Sequence, residues 1–396
     1  MASAEVVVVG SGVIGSSIAY HLARQGRRVL VVERGRPAGE PAASWASAGG
    51  VRRQGRDPAE AALAIESIER WPSLADELGA DLGYQQGGNL YVGEGDQEAE
   101  LLVGFVERQH ANGFVDVRLL DRREAHEVAP ALSETVTAAS YSPRDGQADP
   151  VLATRAFANA AERYGATAWH DTATLGLIVE GSRVTGVRTS RGDVQSDTVV
   201  LAAGAWTDEL TLSTGVRLPI RTRVPQILIS SPAPRGTLRP VLGSAGRRLS
   251  LKQLRSGEFM LGGGWPGIAS EDRRSYTTLD PSIAGGWAAG VAIVPAVGEQ
   301  RIVRKWCGLE AESFDQIPLI GPVVGLGGPA GLTVAVGFSG HGFAIAPAVG
   351  RCVADQLAGQ ATPELAGLDP SRAAGFDPDL VEQFLTDRSE ASLAIG

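Results

Sequence analysis

The residues with the clearest chemical reading stand near the start of the chain. Gly10-Ser11-Gly12-Val13-Ile14-Gly15 is followed about 20 residues later by Glu33. Glycines at these three places let the backbone turn sharply and approach a pyrophosphate. A helix starting there aims free N–H groups and a positive dipole end at the anion. A carboxylate at the distance of Glu33 accepts both ribose hydroxyls of an adenosine and disfavours a 2′-phosphate. Together these residues are suited to holding a dinucleotide.

The elements that must position them lie on either side. Val6–Val9 is a β-branched run of the kind that forms a buried parallel strand, a helical run extends through Gln25, and Arg28–Val32 is a second strand leading to Glu33. Glycine makes up 51 of 396 residues, so a bare glycine pattern arises easily by chance; the flanking strand, helix and acid carry the reading. FAD and NAD both remain open on this evidence. Thr198–Trp206 reads as another buried strand, ending in Ala203, Gly204 and Trp206, where small residues let backbone approach a nucleotide. Leu332–Val336 is a further strand, followed by Gly337-Phe338-Ser339-Gly340-His341-Gly342-Phe343 and an Ala-rich helix to Leu357. The start of that helix suits the pyrimidine edge of an isoalloxazine, where negative charge collects on reduction. Tight helix-on-sheet packing is the alternative explanation of those glycines.

At roughly 150 residues per domain, the length allows two to three units. Apolar residues at 43% and charged residues at 20% describe an ordinary globular chain, and a net charge of −9 argues against nucleic acid or an anionic membrane surface as partner. Cys307 and Cys352 cannot build a disulfide framework or a zinc site, and five histidines leave little room for a His-based metal site. The N-terminus lacks a basic region and carries Glu5 in its apolar run, so no signal peptide is expected, and His341 with several glycines interrupts the apolar stretch 332–350. A cytoplasmic protein with no membrane span is expected.

Residues 34–50 form a long loop of small residues suited to packing against a flat ligand. Asp57-Pro58 caps a helix running to about Leu78, and helices are expected at 96–112, 121–128, 151–164, 280–294 and 378–384. Strands are expected at 172–179 and 183–189 as a meander, then at 226–229, 249–253, 259–262, 301–306 and 316–320. The alternation across 219–317 reads as an antiparallel second domain.

Four stretches, Val6 to Glu33, Ser44 to Arg53, Thr198 to Trp206 and Cys307 to Gly342, resemble the D-amino-acid oxidase superfamily of FAD enzymes. Within it they look like the glycine oxidase and sarcosine oxidase (beta-subunit type) branch. The last stretch, with Ile317-Pro318-Leu319-Ile320-Gly321-Pro322, is the specific one. The resemblance implies an α/β fold with a discontinuous Rossmann-like FAD-binding domain (1–82, 145–218 and 318–396). It also implies an α+β substrate domain on a mostly antiparallel sheet (83–144 and 219–317). It places FAD against Gly10, Gly12, Val13, Ile14, Gly15, Glu33, Arg34, Ser44, Ser47, Ala48, Gly49, Gly50, Thr174, Ala203, Gly204, Trp206 and residues 337–343. The implied reaction is hydride transfer from the carbon beside an amine to flavin N5, giving an imine that hydrolyses, with O₂ or another electron acceptor regenerating the flavin.

Departures from the family pattern bear on the substrate. Glycine oxidase-like chains tend to carry a carboxylate-clamping arginine where this chain has Glu310, and sarcosine oxidase-like chains a lysine where it has Ala344. Arg52 or Arg53 is the expected replacement anchor, since guanidinium matches carboxylate geometry, with Arg255 a weaker candidate. Glu310 is expected to hold a cationic group or a structural ion pair. His341 is expected at both cofactor and substrate. Met260 falls where sarcosine oxidase-like chains place a lysine associated with oxygen activation, which leaves a dehydrogenase open. Cys307 lies near the position of covalent flavin attachment in monomeric sarcosine oxidases, although non-covalent FAD is the expectation. An NAD-dependent dehydrogenase and a non-catalytic electron-relay subunit are the competing readings.

Overall fold

The computed structural model describes residues 2–387. Its first layer is a six-stranded sheet in the order Leu319–Pro322, Leu332–Val336, Val199–Leu201, Val6–Val9, Val29–Val32, Thr167–Trp169. Every pairing in it is parallel except that of the edge strand Leu319–Pro322. Val6–Val9 sits in the interior and is buried on both faces. Val6 and Val8 point into a core made with helices Val13–Arg24, Ala61–Leu78, Pro150–Arg163 and Gly342–Leu357, while Val7 and Val9 point into a second core on the opposite face. A continuous β-branched run is what such a strand requires.

The helices after the two glycine-rich turns pack directly on one another. Gly350 has its Cα so close to the first helix that a Cβ there would lie 2.1 Å from Ser17 Oγ, and that hydroxyl donates to Ala346 O at 2.8 Å. Small residues in both helices bring their N-termini side by side. Pro347 leaves the start of the second helix without one donor. The helix Ala61–Leu78 supplies partners there: Trp71 Nε1 donates to Ala344 O at 2.9 Å, and Ser67 Oγ accepts from Ala348 N at 3.2 Å.

The second layer is an eight-stranded sheet in the order Ile302–Cys307, Gln226–Pro232, Glu258–Gly262, Ser250–Gln253, Val241–Ser244, Asn89–Glu94, Val136–Ser142, Arg118–Asp121. It is antiparallel apart from the junction of Val241–Ser244 with Asn89–Glu94, and its core includes Phe259, Leu261 and the helix Asp280–Ile293. The meander Thr174–Glu180, Arg183–Thr189, Val194–Gln195 forms a separate small sheet with Ala2–Ser3.

Several elements differ from the sequence expectation. The edge strand is Leu319–Pro322 rather than 316–320, because the chain turns through Gln316 at φ +62° before pairing begins. A two-stranded ribbon of Ile220–Arg223 and Glu310–Ser313 was not anticipated: its alternating Arg and Glu residues lack the apolar period that signals a strand. The loop 34–50 contains a helical turn, Ala43–Ala46. Among the described residues no helix is long and apolar enough to cross a membrane.

Candidate active site

Both glycine-rich turns open on one cavity of about 1330 Å³ between the two layers. At the first turn Gly10 has φ +98°, and a Cβ there would lie 2.5 Å from Ala202 O. A Cβ on Gly15 would lie 2.0 Å from Gly10 O, so Gly15 serves the packing of the turn and stays off the cavity wall. Glu33 reaches the turn from the end of the next strand: its Oε2 accepts from Ser11 N at 2.7 Å and its Oε1 from Gly35 N at 2.8 Å. Ser44 Oγ accepts from Val13 N at 2.9 Å, which fixes the small-residue loop across the helix start.

The wall continues through Ser47, Ala48, Gly49 and Gly50 on one side, and through Thr174, Ala203, Gly204 and Trp206 on the other. Arg34 lies over the Trp206 ring, 4.4 Å from its centroid. Thr174 Oγ1 and Trp206 Nε1 are buried and have no hydrogen-bond partner among the described residues. Buried polar groups are normally paired, so these two orphans fit the polar edge of a ligand. A cavity of this size, glycines that leave room for backbone contact, a ribose-type carboxylate and two helix N-termini fit an extended FAD. The residues named for it from the sequence line this cavity, apart from Gly15.

The second turn is held by the unanticipated ribbon. Ser339, at φ +50°, donates through its hydroxyl to Gly337 O at 3.1 Å and accepts from Ser313 N at 3.2 Å, while its own N–H donates to Ala311 O. His341 caps the helix Gly342–Leu357, and its Nδ1 lies 3.3 Å from Oε2 of the fully buried Glu60. Burial alone would raise the Glu60 carboxyl, but His341 and the Arg56 guanidinium hold it below the usual range. Burial draws Arg56 down to about 10, so it stays charged at neutral pH; one of its nitrogens donates to His341 O. Arg56 and Glu60 were missed in the sequence because a charged residue at the start of a helix ordinarily faces water.

The substrate candidates separate sharply. Arg52 lines the cavity, and its side chain's one hydrogen bond among the described residues is to Gln54 O at 3.4 Å. Arg53 turns the other way: only 3% exposed, it pairs with Asp116 and lies 3.7 Å from the buried Asp145, outside the cavity wall. Alternation along an extended segment sends neighbouring side chains to opposite sides, which the sequence could not assign. Arg255 is at the surface with Asp81. Glu310 and His341 are on the cavity wall.

Met260 lines a second cavity of about 670 Å³ that adjoins the first at Glu40 and Ser47 and also includes Arg255. Directly across the strand pair from Met260 stands Lys252, only 4% exposed, in the same cavity, and burial draws its ammonium down to about 8. Directly paired residues share a face, so a lysine occupies the place next to the one where the family pattern has it. Cys307 is fully buried with its Sγ 3.9 Å from Thr277 O, is absent from the wall of the main cavity, and has its thiol pushed up to about 11 by burial.

Comparison with known proteins gives a consistent result. A family model described as FAD dependent oxidoreductase (DAO) matches residues 5–356. Glycine oxidase of Pseudomonas aeruginosa is 33% identical over 367 residues, 90% of this chain and 96% of that protein. Sarcosine oxidase subunit beta of an Arthrobacter species is 27% identical over 371 residues, 90% of this chain and 87% of its own. The crystal structure of L-proline dehydrogenase from P. horikoshii superposes with a TM-score of 0.86 at 32% identity, covering 94% of this chain and 98% of that one.

Proposed function

The chain belongs to the DAO family of FAD-dependent oxidoreductases, and from that premise we propose that it oxidises the C–N bond of an amine or amino acid to an imine that water hydrolyses. Bound FAD supplies the two-electron acceptor for the hydride on the carbon next to nitrogen. The observation that carries the reading is a single cavity shared by both glycine turns, with the guanidinium of Arg52 on its wall. The residues around Gly10 and Glu33 hold the adenosine diphosphate half. The turn 337–343, backed by Glu60 and His341, holds the ring end.

Arg52 anchors the substrate carboxylate. Of Arg52, Arg53 and Arg255 it is the one on the cavity wall, and its donors are nearly unused, so a bidentate carboxylate pair costs no existing ion pair among the described residues. The carboxylate then fixes which C–H bond faces the ring. The apolar wall, with Ile227 and Leu242, limits bulk water around the reacting carbon. FAD is held non-covalently, since Cys307 is packed away from the cavity. Two buried, unpaired cysteines suit a reducing cytoplasm.

An oxidase is the favoured form because Lys252 offers a buried cation beside position 260; a dehydrogenase is the second reading, favoured by Met260 itself. Purified protein should be yellow, and anaerobic addition of D-amino, N-methyl and N-carboxymethyl amino acids should bleach it. A colourless folded protein, or a flavin that dithionite bleaches but no amine does, would refute the proposal.

A further inference from the structure

Glu310 and Glu60 are the two carboxylates on the cavity wall whose side chains make no hydrogen bond among the described residues, and Glu60 has His341 Nδ1 at 3.3 Å and the Arg56 charge beside it. Glu33 is bonded to two backbone N–H groups, Asp57 caps its helix, Glu60 faces His341, Glu40 accepts from Tyr276, Glu209 pairs with Arg273 and Asp315 with Arg372. The Glu310 side chain makes no hydrogen bond among the described residues; the one cation it faces there is Arg223, at 3.8 Å.

The ribbon explains why. Its register pairs Arg223 with Glu310 and Arg221 with Glu312, so all four side chains share one face. Glu312 accepts from both guanidiniums, Arg221 Nε at 2.8 Å and Arg223 NH1 at 3.2 Å, and Asp387 lies 3.6 Å from Arg221. Arg223 therefore bonds Glu312 and not Glu310, which leaves the Glu310 carboxylate, at the cavity end, the less closely paired of the two. Gly340 of the second turn lies beside it: a Cβ there would be in ordinary contact with Glu310 Oε2, at 3.6 Å. Burial raises the Glu310 carboxyl above its ordinary range, with Arg223 opposing and Glu312 adding to the rise, so it is a stronger base than a surface glutamate.

Building on the amine-oxidation reading, we propose that Glu310 binds the substrate's ammonium group and accepts its proton, leaving the amine neutral before its C–H bond is broken. In this step one N–H bond breaks, its electron pair stays on nitrogen, and the proton passes to a carboxylate oxygen of Glu310; no oxidant takes part. A neutral amine has the lone pair that must form the C=N bond, whereas an ammonium has none to give. Arg52 and Glu310 thereby make complementary subsites for the two charges of an amino-acid zwitterion.

The test follows the rate of anaerobic flavin bleaching against pH in the holoenzyme and in Glu310→Gln. With an amine that bleaches the unaltered protein, the variant should be ~100-fold slower at pH 7, in line with the contribution of a general base. It should recover to within a few-fold of the unaltered protein once pH exceeds the amine's own pKa, ~10.4 for a lysine-type amine. A slowing by the same factor at every pH would overturn the proposal. Binding gives an independent readout, followed by the flavin difference spectrum. 2-Aminoisobutyrate has no α-hydrogen and cannot be oxidised; it should bind ~10-fold more weakly to Glu310→Gln, while isobutyrate, which lacks the amine, should bind as well as to the unaltered protein. Equal effects on the two ligands would also overturn it. Should Glu310→Gln not retain flavin, Glu310→Asp serves instead: a retained pH profile supports the role, and loss of rate in parallel at all pH values opposes it. Failure of any amine to bleach the unaltered protein would sink the amine-oxidation reading itself, a distinct result.

Discussion

Two adjacent arginines should give opposite phenotypes when each is changed to alanine. Arg52 faces the cavity with one long hydrogen bond, so Arg52→Ala should leave stability within about 0.5 kcal/mol of the original. It should raise KM for a carboxylate-bearing amine ~10- to 100-fold, since a lost charged hydrogen bond is worth ~1.5–3 kcal/mol. Arg53 is 3% exposed and offsets the charge of Asp145, which is fully buried. Removing it strands that carboxylate, a loss of ~3–5 kcal/mol for a broken buried pair, or roughly 5 °C in Tm for a chain of this size. KM should change less than threefold. The deficit also has a predictable pH course. Burial raises the Asp145 carboxyl to about 6, with Arg53 opposing. Its ordinary value is ~3.9, so the folded state holds the proton more tightly than the unfolded one. Its contribution to stability is therefore complete below pH ~4 and is lost as pH rises through about 6, an effect of order 3 kcal/mol in the unaltered protein. Without Arg53 the carboxyl rises further. The Tm gap between Arg53→Ala and the unaltered protein should then be widest at pH 8 and shrink at pH 5. Thermal melts at those two pH values, with steady-state kinetics on both variants, check this. A KM increase in Arg53→Ala matching that of Arg52→Ala, or a Tm gap indifferent to pH, would refute the assignment of the two side chains.

Three further outcomes are expected. Gly10→Ala should yield protein with little or no flavin, because the added methyl meets Ala202 O at 2.5 Å in a backbone conformation of φ +98°; the absorbance ratio of flavin to protein measures it. Acid precipitation should release all the yellow colour into the supernatant, as Cys307 does not face the cavity; colour retained in the pellet would contradict non-covalent binding. Lys252→Met should slow reoxidation of the reduced protein by O₂ by ~10-fold or more while leaving anaerobic reduction unchanged, read by stopped flow, because the buried ammonium stabilises developing negative charge.

Local pattern made much of this fold legible. Val6–Val9, the glycines after it and Glu33 obey rules that operate within about 30 residues, and Asp57-Pro58 announced its helix through capping, which the structure shows as a side-chain hydrogen bond to the Ala59 N–H group. The substrate end was less legible because its logic is long-range. Lys252 opposite Met260, Glu60 beside His341, and Glu310 left over by Glu312 all depend on pairings that no local window contains. Arg52 and Arg53 are indistinguishable by type, and which one enters the cavity depended on a half-turn of backbone.

The strand order Leu332–Val336, Val199–Leu201, Val6–Val9 has a bearing on how the protein is made. A nascent chain emerges with its first glycine turn ready early, but the strand and turn that complete the other end of the cavity leave the ribosome more than 300 residues later. Until then the first turn has no counterpart, and the closure entropy of that long separation must be met before the contacts that reward it exist. A coenzyme touching both ends would act as a clasp on the finished molecule, so the ratio of yellow to colourless protein in a preparation reports how many chains have completed the join.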